Sequence, residues 1–277
     1  MKIPDVKNFL SKIFKKKAEA PKAPSSARQR ALLNNITLRE DPGSGKIEVK
    51  NLALLGPDGL PLIDYGSFTL SPGDRMMLSG PAGCGKSAGL AAMRNAWLLG
   101  GSGEITVPRE IRFVPQEDYF PDRSMRGIIC APDPESRYTQ EQVVKALTDA
   151  GLADFIPEMD DAEKRGEYWK NTLSGGQKNK LGIAGIFLHA PDVKVLIVDE
   201  ITAALDAKSE AALYPQIIER MKHGIVITVA HHASIAPHHN VFGTVVDGKV
   251  HYTDAPLPAP KVDEKPAATA QPPKPAA

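Results

Sequence analysis

Gly80-Pro81-Ala82-Gly83-Cys84-Gly85-Lys86-Ser87 is the stretch on which the reading of this chain turns. Its spacing is GxxxxGKS, in which glycines let a loop curl so that backbone N–H groups converge on phosphate oxygens. Lys86 is placed to reach β- and γ-phosphates, and the Ser87 hydroxyl to ligate Mg²⁺. Residues 74–79 before the loop read as a short buried strand. Residues 88–99 after it, opening at Ala88, read as a helix whose N-terminus favours an anion. Strand, loop and helix in that order predict a nucleotide phosphate site rather than a chance glycine-rich turn.

Moving outward toward the N-terminus, Ser71-Pro72-Gly73-Asp74 and Pro57-Asp58-Gly59 are turns. Between and before them lie strand-like runs with Ile47, Val49, Leu52 to Leu55, Leu62, Ile63, Phe68 and Leu70. The folded domain is expected to begin near Lys46, with residues 31–45 weakly structured. Residues 18–30 read as a linker, so 18–45 forms one intervening segment. Residues 1–17 place Val6, Phe9, Leu10, Ile13 and Phe14 at helical spacing against a lysine-rich face. That pattern fits a basic amphipathic helix able to contact a membrane surface or dock on a partner; a solubilising tail is the alternative.

Toward the C-terminus, residues 100–103 (Gly-Gly-Ser-Gly) read as a break, followed by short strands at 104–107 and 111–114. Residues 124–175 read as an inserted helical lobe, with Thr139 as an N-cap, a stripe of Val143, Val144, Leu147 and Ala150, and Gly151 as a stop. A helix over 177–189 carries small residues Gly182, Ala184 and Gly185, which invite close packing. An apolar strand over 193–198, a helix over 207–222 and a buried strand over 225–229 follow. A hairpin turns through Asp247-Gly248. Strands alternating with helices predict an α/β core with a parallel sheet. Residues 253–277, dominated by Ala, Pro and Lys, read as a disordered tail.

The chain has 277 residues, 42% of them hydrophobic, enough to bury a sizeable core. Its formal net charge is +1, and nine of its Lys/Arg fall in residues 1–30, leaving the remainder slightly acidic. No nucleic-acid partner is expected from that distribution. Two cysteines, Cys84 and Cys130, make no disulfide framework and fit a reducing compartment. Cys84 lies among N–H donors that can lower a thiol pKa, although a small inert residue is the simpler reading. No apolar run approaches the ~20 residues needed to cross a bilayer. Met1-Lys-Ile-Pro lacks a hydrophobic signal region, so secretion is not expected.

Four further positions carry chemistry. Asp199 and Glu200 end the apolar strand, where ligands of open α/β sheets bind. Asp199 is placed to hold Mg²⁺ and Glu200 to polarise an attacking water as general base. Gln116 follows the strand at 111–114 and is suited to touch both a metal-bound water and a mobile lobe. His231 follows the strand at 225–229, where an imidazole can donate to a γ-phosphate. Leu173-Ser174-Gly175-Gly176-Gln177 is a second glycine-rich anion nest opening a helix. One triphosphate does not easily need two nests from one subunit. Two copies that each offer the second nest to the other's nucleotide would satisfy both.

These motifs, in this order over residues 46–252, resemble the nucleotide-binding subunit of ATP-binding-cassette (ABC) proteins: phosphate loop 80–87, glutamine loop at Gln116, signature Leu173 to Gln177, Asp199 with Glu200, the loop Ala204-Leu205-Asp206, and His231. The resemblance implies a P-loop ATPase of ABC type, with a mixed core sheet, an N-terminal antiparallel subdomain and an inserted helical lobe. It further implies ATP and Mg²⁺ as ligands, Ser87, Gln116 and Asp199 around the metal, and a head-to-tail homodimer meeting at 204–206. It also implies a separate membrane permease. Residues 100–108, 114–121 and Tyr168-Trp169 look like the subgroup of peroxisomal fatty-acyl transporters and their bacterial peptide and cobalamin uptake relatives. The expected location is peripheral, on the cytoplasmic face of the inner or plasma membrane. The alternative is a soluble ABC ATPase that acts as a clamp without transport. Departures are the absence of an adenine-stacking aromatic near residues 54–57, and Ala88, Lys180, Gly185 and Ala203 at positions where the family favours other residues.

Overall fold

The structure, a computed structural model, describes residues 34–116, 119–230 and 233–255. The expected N-terminal helix, the linker at 18–30, the tail from 256, Glu117, Asp118 and His231 lie outside these residues. Among the described residues ten strands form one sheet in the order β1-β5-β2-β3-β10-β9-β4-β8-β7-β6. Half of it is parallel: β9 (Val241–Val246), β4 (Arg75–Ser79), β8 (Ile225–Val229), β7 (Val195–Asp199) and β6 (Ile111–Val114). The other half is built on antiparallel pairing of β2 (Ile47–Leu55) with β3 (Pro61–Leu70) and β5 (Gly101–Val107). β10 (Lys249–Thr253) closes the hairpin with β9, and Asp247 and Gly248 at its tip both take positive φ, as the expected two-residue turn demands.

Side-chain alternation divides the core between the two sheet faces. Val195 and Ile197 of β7 face one apolar cluster, and Leu196 and Val198 the other. The first cluster takes α1 (Lys86–Ala92). The second takes the lobe helices α2 (Met125–Cys130), α3 (Gln140–Asp149) and α4 (Gly166–Thr172), then α5 (Gly175–His189) and α6 (Ala207–Arg220). Within the lobe, Thr139 and Gln142 form a reciprocal capping box on α3. This is the ABC-type P-loop architecture anticipated from the motifs, with the antiparallel subdomain and the inserted helices in place.

Three local readings are corrected. Residues expected to be weakly structured contain β1 (Asn34–Glu40), which pairs in parallel with β5 along its whole length. Its apolar residues are few because it is a sheet edge, with Ile36 and Leu38 only half-buried. The run at 100–103 is not a break. Gly101 and Gly103 lie inside β5 at φ 155° and 127°, where a Cβ would press on the β2 backbone. α1 ends at Ala92 rather than near 99. Asn95 turns the chain at φ 54°, the Ala96 N–H donates to Ala91 O, and Trp97 buries its ring with Nε1 donating to Gly100 O.

Candidate nucleotide site

The loop between β4 and α1 carries residues 80–85, and two further segments leave the carboxyl ends of parallel strands in the same half of the sheet. Gln116 lies two residues beyond β6, and Glu200 follows β7 directly. In such sheets the loops at this end converge on one place. The Ser87 hydroxyl donates to Asp199 Oδ2 at 2.8 Å, and Gln116 Nε2 donates to Glu200 Oε2 at 2.6 Å. Asp199 is 3% exposed. Glu200 takes a left-handed backbone at φ 54°, while its N–H still donates to Val229 O at 2.9 Å. The β7–β8 ladder therefore runs into Glu200 before the chain turns.

Lys86 folds back over its own loop. Its Nζ donates to Gly80 O at 2.8 Å and Pro81 O at 2.9 Å, and lies 3.9 Å from Cys84 Sγ. Lys86 as a whole residue is buried, and these carbonyls stand in for water around its ammonium. Gly85 stands at φ 103°, and a Cβ there would approach Ile63 Cγ2 at 2.8 Å, which excludes any other residue. Cys84 is half-buried, whereas Cys130 is buried in the lobe, where desolvation pushes its thiol up to about 11 and leaves it unreactive.

The donor set fits Mg²⁺. A hydroxyl and a carboxylate oxygen 2.8 Å apart are hard ligands, and Mg²⁺ is typically held by one or two protein groups with phosphates and water completing its shell. No cluster of three or more His, Cys, Asp or Glu suited to a metal occurs among the described residues.

The signature stretch is the start of α5 and not a separate loop. Ser174 is the N-cap: its Oγ accepts from the Gln177 N–H at 3.2 Å, and Gln177 Oε1 accepts from the Ser174 N–H at 2.9 Å. Gly175 and Gly176 lie against Ala204, whose carbonyl would sit 3.1 Å from a Cβ at 176. Leu173 is buried and Leu205 packs on the same core. Asp206 caps α6 by accepting from the Ser209 N–H at 2.9 Å, and that bond holds its carboxyl below the usual range. Phosphate loop, Asp199, Glu200 and Gln116 thus form one group, and Leu173 to Gln177 with Ala204 to Asp206 form another. Among the described residues no hydrogen bond joins the two.

Sequence reasoning missed Tyr65 and Gly89, which meet behind the phosphate loop. A tyrosine in a strand and a glycine in a helix carry no signal that they touch.

Fold and site together define a P-loop nucleotide-binding domain of ABC ATPase type. The model of the family described as ABC transporter matches residues 63–203, just over half of the chain, and the chain belongs to that family. It is 30% identical over 225 residues to ATP-binding cassette sub-family D member 3 of Mus musculus, covering 76% of this chain and 33% of that protein. It is also 30% identical over 209 residues to an uncharacterized ABC transporter ATP-binding protein of Haemophilus influenzae, covering 69% and 33%. The solved structure of a bacterial Atm1-family ABC exporter with ATP bound superposes with a TM-score of 0.64 at 21% identity, over 74% of this chain and 38% of that one, a likeness of fold. The chain spans about a third of the length of the curated relatives it matches. No described helix is long and apolar enough to cross a membrane.

Proposed function

We propose that this chain binds and hydrolyses ATP as one half of a homodimer and drives transport through a partner membrane permease. The observation that carries the reading is the pair of contacts Ser87–Asp199 and Gln116–Glu200, made at the same end of one parallel sheet. Glu200 accepts a proton from the attacking water, and Gln116 holds the carboxylate that does so. Lys86 exchanges the Gly80 and Pro81 carbonyls for phosphate oxygens, and backbone donors of the loop stabilise the transferring group. Ser87 and Asp199, with Gln116, would hold Mg²⁺, which would supply charge neutralisation at the phosphates. His231 donates to the γ-phosphate.

The second copy contributes the N-terminal turn of α5, Leu173 to Gln177, with Ala204, Leu205 and Asp206 meeting their counterparts. Capping by Ser174 supports this, because it pre-forms a helix start at which Ser174 and Gly175 are exposed. A narrower kinship with fatty-acyl transporters and their bacterial relatives rests on the resemblance of residues 100–108, 114–121 and Tyr168-Trp169. Residues 1–17 contact the membrane surface, and residues 18–33 link them to the cassette, which β1 extends back to Asn34 and β10 carries on to Thr253. The subunit sits on the cytoplasmic face.

Glu200→Gln tests the reading. Loss of a general base lowers turnover by about 10²–10⁴-fold. The variant is expected to bind ATP, hold a dimer in sedimentation, and copurify with a multi-helix protein from native membranes. Unaltered phosphate release would remove Glu200 as the base. A dimer recovered only from the soluble fraction would favour the clamp without transport.

A further inference from the structure

Tyr65 lies in β3, in the antiparallel half of the sheet, yet its side chain ends beneath the phosphate loop. It is fully buried. Its hydroxyl donates to Lys86 O at 2.8 Å, with Gly85 O at 3.2 Å as a longer second acceptor. The ring occupies the space where a side chain at 89 would stand, and a Cβ on Gly89 would fall within the tyrosine ring. The backbone at Tyr65 is held in turn: Tyr252 Oη donates to Tyr65 O at 3.0 Å, and the neighbouring Asp64 N–H donates to Gly248 O at 2.7 Å.

A trans peptide is planar, with C=O and the following N–H pointing in opposite directions. Drawing the Gly85 and Lys86 carbonyls down onto Tyr65 therefore turns the N–H groups of Lys86 and Ser87 the other way, toward where the loop receives phosphate. Both carbonyls belong to the mouth of α1, and Gly85 O already accepts from the Ala88 N–H at 3.0 Å and the Gly89 N–H at 3.3 Å, so the hydroxyl adds a donor to those of the helix itself. Burial raises the Tyr65 pKa well above its ordinary value, so the hydroxyl remains a donor throughout the neutral range.

We infer that Tyr65 is a positioning residue for the phosphate loop, its hydroxyl orienting the Lys86 and Ser87 amides and its ring filling the place vacated at Gly89. This rests on the loop binding a nucleotide as proposed above, and deepens it. The antiparallel half of the sheet thereby sets the geometry of the anion site without touching the ligand.

The test uses the full chain and two probes, MgATP and inorganic tripolyphosphate, which reports on the loop without a base. Tyr65→Phe keeps the ring and removes the bond. A net hydrogen bond of this kind corresponds to about three- to tenfold in affinity. Both probes are expected to bind weaker by that factor, and kcat/KM for ATP to fall by at least as much, because the same amides stabilise the transferring group. The melting temperature stays close to that of the unaltered chain. If Tyr65→Phe folds poorly, Tyr65→Leu combined with Gly89→Leu refills the space from α1 and should show the same weakened binding. Unchanged affinity for both probes, or a lowered melting temperature with affinity intact, overturns the inference. Lys86→Ala is the control. If the unaltered chain binds neither probe better than Lys86→Ala does, the nucleotide reading itself fails and takes the inference with it.

Discussion

Replacing Gly103 with alanine should weaken the fold in a way the geometry makes calculable. Gly103 lies in β5 between β1 and β2, opposite the irregularity at Asn51, which itself takes φ 50°. A Cβ there would stand 2.7 Å from Asn51 O, 2.7 Å from Leu52 Cα and 2.9 Å from Lys50 O. All three are backbone atoms, so no side chain can rotate aside. Positive φ (127°) costs an L-residue about 1–2 kcal/mol. Forcing atoms into a packed interior costs about 1–3 kcal/mol more. The sum, about 2–5 kcal/mol, is a large share of the ~5–15 kcal/mol that holds a domain folded. At about 2–4 °C per kcal/mol for a domain of this size, the midpoint should drop by roughly 4–20 °C. Gly66→Ala separates the two contributions. It also has positive φ (59°), but nothing lies within 4 Å of its Cβ, so only the strain of about 1–2 kcal/mol should appear. Thermal and urea unfolding of both variants is the assay. A Gly103→Ala protein that unfolds no earlier than Gly66→Ala would refute the claim that the β2 backbone excludes a side chain here.

Ser174→Ala removes the N-cap of α5 and should lower stability by about 1 kcal/mol, a few degrees in a melting scan; in a Glu200→Gln background it should also lose the ATP-dependent dimer. A dimer of unchanged strength in sedimentation would place the trans contact elsewhere. The pH dependence of stability has an identifiable source in His239, buried with Nδ1 at 3.0 Å from Ile235 O and Nε2 at 2.9 Å from the Tyr214 hydroxyl, which in turn meets Thr228 Oγ1 at 2.7 Å. The neutral ring satisfies that chain, and burial holds its pKa down to about 4; His189 is likewise held near 4 by burial. A folded value below the unfolded one means the stabilisation is complete above about 6.5 and is lost as pH falls toward 4. His239→Gln should flatten the melting-temperature profile across that window, leaving the His189 contribution, and parallel profiles for the two proteins would contradict the assignment.

Much of the site could be read before any fold was known, because its chemistry is written locally. A phosphate loop needs spaced glycines, a lysine and a hydroxyl within eight residues. An apolar strand ending in Asp199-Glu200 announces its own carboxyl end, and capping boxes such as Thr139–Gln142 and Ser174–Gln177 are i,i+3 patterns. β1 and the glycines of β5 were misread for the opposite reason. An edge strand needs few apolar residues, and a glycine that admits a neighbouring backbone looks the same in sequence as one that ends a strand.

What the sequence alone determined was a class of chemistry and its candidates, the residues proposed to hold phosphate, to hold metal and to activate water, together with the alternation of strands and helices around them. What only the tertiary structure decided was proximity between distant positions. Ser87 meets Asp199 across 112 residues, Gln116 meets Glu200 across 84, and Tyr65 meets Lys86 across 21. Those distances depend on strand order in the sheet, which follows from packing two apolar faces at once and leaves no local periodicity behind it.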